Sequence, residues 1–252
     1  MANIDTIDEP FKRPSAALMA AELPRAFFEG IALTTAVPLL YSAPNGDGHP
    51  VLVLPGFMAS DRSTEILREF LSQKKYAPEP WLLGRNLGPR GKLPDMMLGR
   101  VNEIFARTGR KVSLVGWSLG GVYAREIAKR RPDAVRQVIS LGSPFGMGNQ
   151  YSNTRPLYDQ LNADDSEAPS AGIHLPPPVP STAIFSKTDG VVPWQSCLEQ
   201  ETETTENIEV QGSHCGLGVN GFVLYAIAER LSQPQDQWRP FSKRGWRRLA
   251  YR

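Results

Sequence analysis

Ser118 stands in the run Val115-Gly-Trp-Ser-Leu-Gly-Gly121, a G-x-S-x-G pattern set between an apolar stretch and one of helical spacing. A serine hydroxyl attacks well only when a neighbouring base takes its proton. A strand-to-helix turn tight enough to present it strains the serine backbone, and glycines at 116 and 120 remove side chains that would collide there. Such a turn lifts Ser118 to the carboxyl edge of a sheet, above a helix N-terminus whose amides favour negative charge. The plainer alternative is a glycine-rich turn with an incidental serine.

Three histidines are available as the base. In this arrangement the chain order is serine, then acid, then histidine. His49 precedes the serine, and His174 lies in a proline-rich stretch with no strand to position it. His214, in Val210-Gln-Gly-Ser-His-Cys-Gly-Leu217, follows a strand-like run and leads to a last helical stretch. It is the expected base. The expected acid is Asp189, which follows the strand-like Ala183-Ile-Phe-Ser. Its carboxylate would accept the imidazole N–H, fix the tautomer and stabilise the imidazolium. An Asx turn before Gly190 is the competing use of an Asp-Gly pair. Asp159, Asp164 and Asp165 have no strand before them.

The elements that must hold these residues alternate from Val51 onward. Strands are expected at Val51–Leu54, Trp81–Leu83, Lys111–Gly116, Val135–Leu141, Thr182–Ser186 and Glu206–Val210. Helices are expected after a cap at Asp61 or Ser63 (with Ile66, Leu67, Phe70 and Leu71 apolar), from Pro94 to Gly109, from Leu119 to Arg131 before Pro132, and around Phe222–Leu231. Strands alternating with helices of this length imply βαβ units: an α/β doubly wound, mostly parallel sheet flanked by helices. The alternation breaks over residues 143–180, a polar, proline-rich insertion read as a lid or binding loop, or else as a surface excursion. Three regions result: an N-terminal helical and loop extension over 1–50, a core over 51–232, and a basic aromatic tail over 233–252.

Composition narrows the class. With 41% hydrophobic and 21% charged residues, disorder throughout is excluded. A net charge of +2 gives no reason to expect nucleic acid. The basic excess is local, since Arg239, Lys243, Arg244, Arg247, Arg248 and Arg252 interleave with Trp238, Phe241, Trp246 and Tyr251. No secretory leader is evident, and Glu22, Pro24, Arg25 and Glu29 interrupt the apolar stretch 16–40, so a packed or surface-lying helix is expected there rather than a membrane span. The expected location is the cytoplasm, with peripheral membrane contact through the tail as a weaker expectation. Metal-ligand spacing is absent, and no metal or organic cofactor is expected.

Three blocks carry a family resemblance: Leu54-Pro-Gly-Phe57, Gly116-Trp-Ser-Leu-Gly-Gly121, and the pair Thr188–Pro193 with Gly212–Leu217. The chain resembles lipases and esterases of the α/β-hydrolase superfamily over roughly 51–231. The resemblance implies that the backbone N–H groups of Phe57 and Leu119 form the oxyanion hole, each worth about 3 kcal/mol of barrier. It departs from the family at Pro55, where many relatives carry histidine. It departs also over 1–50, which lacks the two antiparallel strands that often open the fold, so the sheet is expected to be shortened. The implied reaction is hydrolysis of a small-molecule or lipid-like ester with an apolar acyl chain. A thioesterase or acyltransferase would use the same triad, and a non-catalytic binding protein on this fold is the third alternative. If the triad forms, the loops of Cys197 and Cys215 are neighbours, leaving open either a disulfide between them or two free thiols.

Overall fold

The computed structural model describes residues 11–163 and 172–252. Asp164, Asp165 and the rest of 164–171 within the insertion lie outside the described residues, as do the first ten.

The helices are α1 (Ala16–Thr35), α2 (Val37–Ser42), α3 (Glu65–Gln73), α4 (Leu93–Thr108), α5 (Leu119–Arg130), α6 (Arg155–Leu161), α7 (Gly221–Leu231) and α8 (Arg247–Ala250). The strands are β1 (Pro50–Leu54), β2 (Ala77–Pro80), β3 (Val112–Trp117), β4 (Val135–Leu141), β5 (Ser181–Phe185) and β6 (Thr205–Glu209). They form one sheet in the order β2-β1-β3-β4-β5-β6, and every pair is parallel. The chain leaves β1 in one direction to β2 and then crosses back to β3. Crevices at the carboxyl ends of strands open at such a switch point.

Strand periodicity sorts the core into two layers. Val51 and Val53 face one side with Leu67 and Leu71 of α3 and Val223 and Leu224 of α7. Leu52 and Leu54 face the other with Val101 and Ile104 of α4 and Ala124 and Ile127 of α5. Both faces are therefore covered, which is why β1, β4 and β5 are buried along their whole length.

Several expectations shift. The second strand is Ala77-Pro-Glu-Pro80 and not Trp81–Leu83. It is an edge strand, where Pro78 and Pro80 leave no ladder bond unmade on the open side, and Trp81 is buried beyond it. Asp61 does not cap α3; its carboxylate accepts the N–H groups of Trp81 and Leu82 at 2.9 and 3.1 Å and so fixes the exit from β2. Ser63 does not cap α3 either, and donates its hydroxyl to the Ser60 carbonyl. Ile66 is half exposed, whereas Leu67, Phe70 and Leu71 are buried as their spacing implies. Among the described residues no strand precedes Pro50; α1 and α2 occupy that stretch. Among the described residues no helix is long and apolar enough to cross a membrane.

The tail packs back on the domain. Phe241 and Tyr251 are buried in the layer that holds α7, and Phe241 donates its N–H to Glu206. Arg252 and Glu209 exchange backbone hydrogen bonds at 3.1 and 3.2 Å, and Thr202 bridges Thr205 at the start of the same strand. Leu249 and part of Trp246 remain exposed.

Candidate active site

Ser118 sits between β3 and α5 with φ 52° and ψ −121°, a backbone conformation that residues with side chains rarely adopt. The glycine spacing makes the turn possible. A Cβ on Gly116 would lie 2.4 Å from the Gly120 carbonyl and the Gly121 backbone. On Gly120 it would lie 2.3 Å from the Leu54 carbonyl, so the helix start is pressed against the end of β1.

Asp189 and His214 follow β5 and β6 at the same edge of the sheet. His214 Nδ1 lies 2.6 Å from Asp189 Oδ2. The other carboxylate oxygen accepts the N–H groups of Val191 and Val192, both at 2.8 Å. The Asx-turn use of Asp189 and its pairing with histidine therefore coexist, one oxygen each. Both residues are buried. Burial pushes the His214 pKa down, but the charge and hydrogen bond of Asp189 outweigh it, and Glu22 adds to them, leaving it above the ordinary value. Trp117, next to the serine, donates its indole N–H to the His214 carbonyl at 3.0 Å. Among the described residues the Ser118 hydroxyl makes no hydrogen bond of its own.

The loop after β1 passes against the serine: a Cβ on Gly56 would be 3.2 Å from Ser118 Cβ. The backbone N–H groups of Phe57 and Leu119 are engaged with no other group among the described residues. Asn86, fully buried, holds that loop by donating to the Pro55 carbonyl at 2.9 Å, while its backbone carbonyl receives the Met58 N–H at 2.7 Å. Nothing in its sequence context pointed to it, because its partners come from a loop about 30 residues earlier.

A cavity of about 440 Å³ opens at Ser118 and Leu119. Phe57, Leu98, Val122, Ile127, Tyr158 and Ile173 give it an apolar lining, with Arg130 and Arg155 among its polar members. Tyr158 belongs to α6, so the described part of the insertion forms one wall.

The remaining candidates do not join the Asp189–His214 pair. His174 is exposed, and Asp159 lines the cavity but pairs there with Arg155 of the same helix, at 2.7 Å. His49 is fully buried at the opposite end of the sheet, between Asp47 (Nδ1 to Oδ1, 2.5 Å) and Ser113 (Nε2 to Oγ, 2.8 Å). Cys197 and Cys215 are both free thiols. Burial, followed by the charge of Glu22, pushes Cys215 up to about 12, so beside His214 it stays a thiol at neutral pH. Among the described residues no group of three or more His, Cys, Asp or Glu is placed to share a metal ion.

No protein-family model matches the chain. Its architecture is similar to that of Aspergillus fumigatus lipase B at 18% identity and a TM-score of 0.55. That similarity covers 77% of this chain but only 55% of the lipase, so the chain spans little more than half the length of that relative. An α/β superfamily hydrolase from Oenococcus oeni PSU-1 aligns at 16% identity and a TM-score of 0.55, over 75% of this chain and 94% of that one. A monoacylglycerol lipase from Paleococcus ferrophilus aligns at 14% identity and a TM-score of 0.53, over 75% and 96%. The all-parallel sheet, its strand order and these neighbours agree on one architecture: the chain has the α/β-hydrolase fold.

Proposed function

We propose that the protein hydrolyses carboxylic esters with an apolar acyl chain through Ser118, His214 and Asp189. The observation that carries the reading is a strained serine on the wall of an apolar cavity, at the same sheet edge as a buried histidine–carboxylate pair. The lipase and hydrolase neighbours support it at the level of fold only.

In this reading Ser118 Oγ attacks the ester carbonyl carbon and His214 Nε2 takes its proton. The carbonyl π electrons move onto oxygen, where the Phe57 and Leu119 amides hold them. Collapse of the adduct expels the alcohol, which leaves with the proton from His214. Water then attacks the acyl-enzyme by the same route and releases the acid. Asp189 orients the imidazole and stabilises the imidazolium throughout. The cavity lining suits an aliphatic acyl group better than a charged one.

The test is the initial rate on a chromogenic ester series of increasing acyl length, with covalent labelling by a fluorophosphonate. Activity in the wild type, and loss of both activity and labelling in Ser118→Ala, supports the reading. Equal rates in the two proteins would refute it.

A further inference from the structure

Glu22 is 2% exposed, although a glutamate is rarely buried without partners. Two backbone amides donate to it, and the Arg25 guanidinium lies 3.8 Å from Oε1. Oε1 accepts the Gly190 N–H at 2.7 Å and Oε2 accepts the Cys215 N–H at 2.9 Å. Gly190 follows Asp189 in the chain, and Cys215 follows His214, so one carboxylate bridges the residues after the acid and after the base. The next turns of α1 repeat the pattern on the preceding residues. Arg25 donates to the Thr188 carbonyl at 2.7 Å and to its hydroxyl at 2.9 Å. Glu29 Oε1 accepts the Ser213 N–H at 2.7 Å.

Positions 22, 25 and 29 share one face of a helix. Three side chains therefore grip the residue on each side of both Asp189 and His214. The helix backbone is equally close: a Cβ on Gly190 would lie 2.5 Å from the Leu18 carbonyl. The opposite face carries Leu23, Phe27 and Phe28, all more than half exposed. The polar face, not the apolar one, is turned to the protein, which burial of hydrophobic area alone would not select.

We propose that α1 is a positioning element for the catalytic pair, with Glu22 setting the separation of the acid and histidine loops. This deepens the reading given under Proposed function and rests on it. None of Glu22, Arg25 and Glu29 lines the substrate cavity. Their effect therefore falls on the chemical step and leaves ester affinity alone. The charged groups facing His214 are Asp189 from its own loop partner and Glu22 from α1, whereas Trp117 and Gly142 on the remaining sides are neutral. Removing the Glu22 charge takes away one of the influences that raise His214, so the acid limb of activity moves to lower pH.

Glu22→Gln keeps the shape but turns a donor toward one of the two amides. The expected result is a fall in kcat of about tenfold to 100-fold with KM unchanged, and an acid limb displaced to lower pH. A folded Glu22→Gln enzyme with wild-type kcat and an unmoved acid limb overturns the proposal. If Glu22→Gln fails to fold, Glu29→Gln is measured in its place, with the same expected split between kcat and KM, though a smaller fall. Amide hydrogen exchange in the intact Ser118→Ala chain is independent of activity. There the Gly190, Ser213 and Cys215 amides are expected to exchange together with the amides of α1. Exchange at open-loop rates while α1 stays protected overturns the clamp. Failure of the catalytic reading is recognised separately, as ester hydrolysis unaffected by Ser118→Ala.

Discussion

A hydrogen-bonded chain of aspartate, histidine and serine occurs in the protein away from Ser118. Asp47, His49 and Ser113 form it at the amino end of the sheet, yet His49 and Ser113 are fully buried and neither lines the cavity. Side-chain types alone do not distinguish Ser113 from Ser118; the strained backbone and the cavity beside the hydroxyl do. The two histidines are expected to behave oppositely. Burial above all lowers His49 to about 4 from the ordinary 6.5. Between those values the unfolded state binds a proton that the folded state does not, so stability is lost as pH falls through that window. The loss amounts to at most about 3 kcal/mol. Urea unfolding from pH 7 to pH 4 should show the wild-type advantage over His49→Asn shrinking across this range, and a constant advantage would exclude the assignment. His214 lies above its ordinary value and must be neutral to take a proton, so kcat/KM should fall on acidification with a midpoint above 6.5. A midpoint at or below 6.5 would contradict this. Asp189→Asn should lower kcat by about 10,000-fold with little change in KM, because the amide favours the wrong imidazole tautomer. A variant within tenfold of wild type would remove Asp189 from the mechanism.

At the scale of elements, the serine turn depends on a loop that lies outside the G-x-S-x-G pattern. Asn86 fastens the segment Pro55–Ala59 beside Ser118 and lies within 3.4 Å of the Tyr123 hydroxyl on α5. Asn86→Ala would leave the Pro55 carbonyl unpaired in a buried site, at about 1–3 kcal/mol of stability. It would also free the Phe57 amide to wander, so single-turnover kinetics should show slower acylation in a variant that is still folded. An acylation rate equal to wild type would separate Asn86 from the oxyanion loop. The elements that carry the candidate site were the legible ones. G-x-S-x-G, the Asp189 strand end and the His214 turn are local patterns, and β3, β4 and α5 are set by runs of apolar residues whose period is unambiguous. Asn86, Glu22 and Glu29 were not legible, since each acts through backbone amides or carbonyls far away in sequence. Glu22 and Glu29 did stand out as charges in an apolar stretch, but that argued only against a membrane span. β2 was misplaced because its Pro-Glu-Pro sequence has no strand character without knowledge that it lies at an edge.

For the molecule as a whole, the described part of the insertion is tied to the body at both ends. Leu175 and Gly172 carbonyls receive donors from Arg125 and Lys129 of α5, at 2.8 Å each, and Asn162 donates to the Leu87 carbonyl. Arg125 is itself fully buried and paired with Glu199, an arrangement costly to break from one side. Arg125→Met should therefore lower the melting temperature and loosen the return of the insertion, seen as faster proteolysis within 172–175. An unchanged cleavage rate would show that the insertion is held by other means.

The two outer strands of the sheet have a consequence for how this protein behaves in a crowded solution. Pro78 and Pro80 remove amide donors from β2, and the chain's own Thr202 and Arg252 occupy the two ends of β6. Only Glu206, Asn207 and Ile208 remain between them, too short a run to recruit a foreign strand. Removal of residues 239–252 would uncover one end of that run and the apolar surface beneath Phe241 and Tyr251 together. The truncated chain should then assemble into thioflavin-binding aggregates at concentrations where the full chain stays dispersed, which makes the basic aromatic tail a guard against self-association.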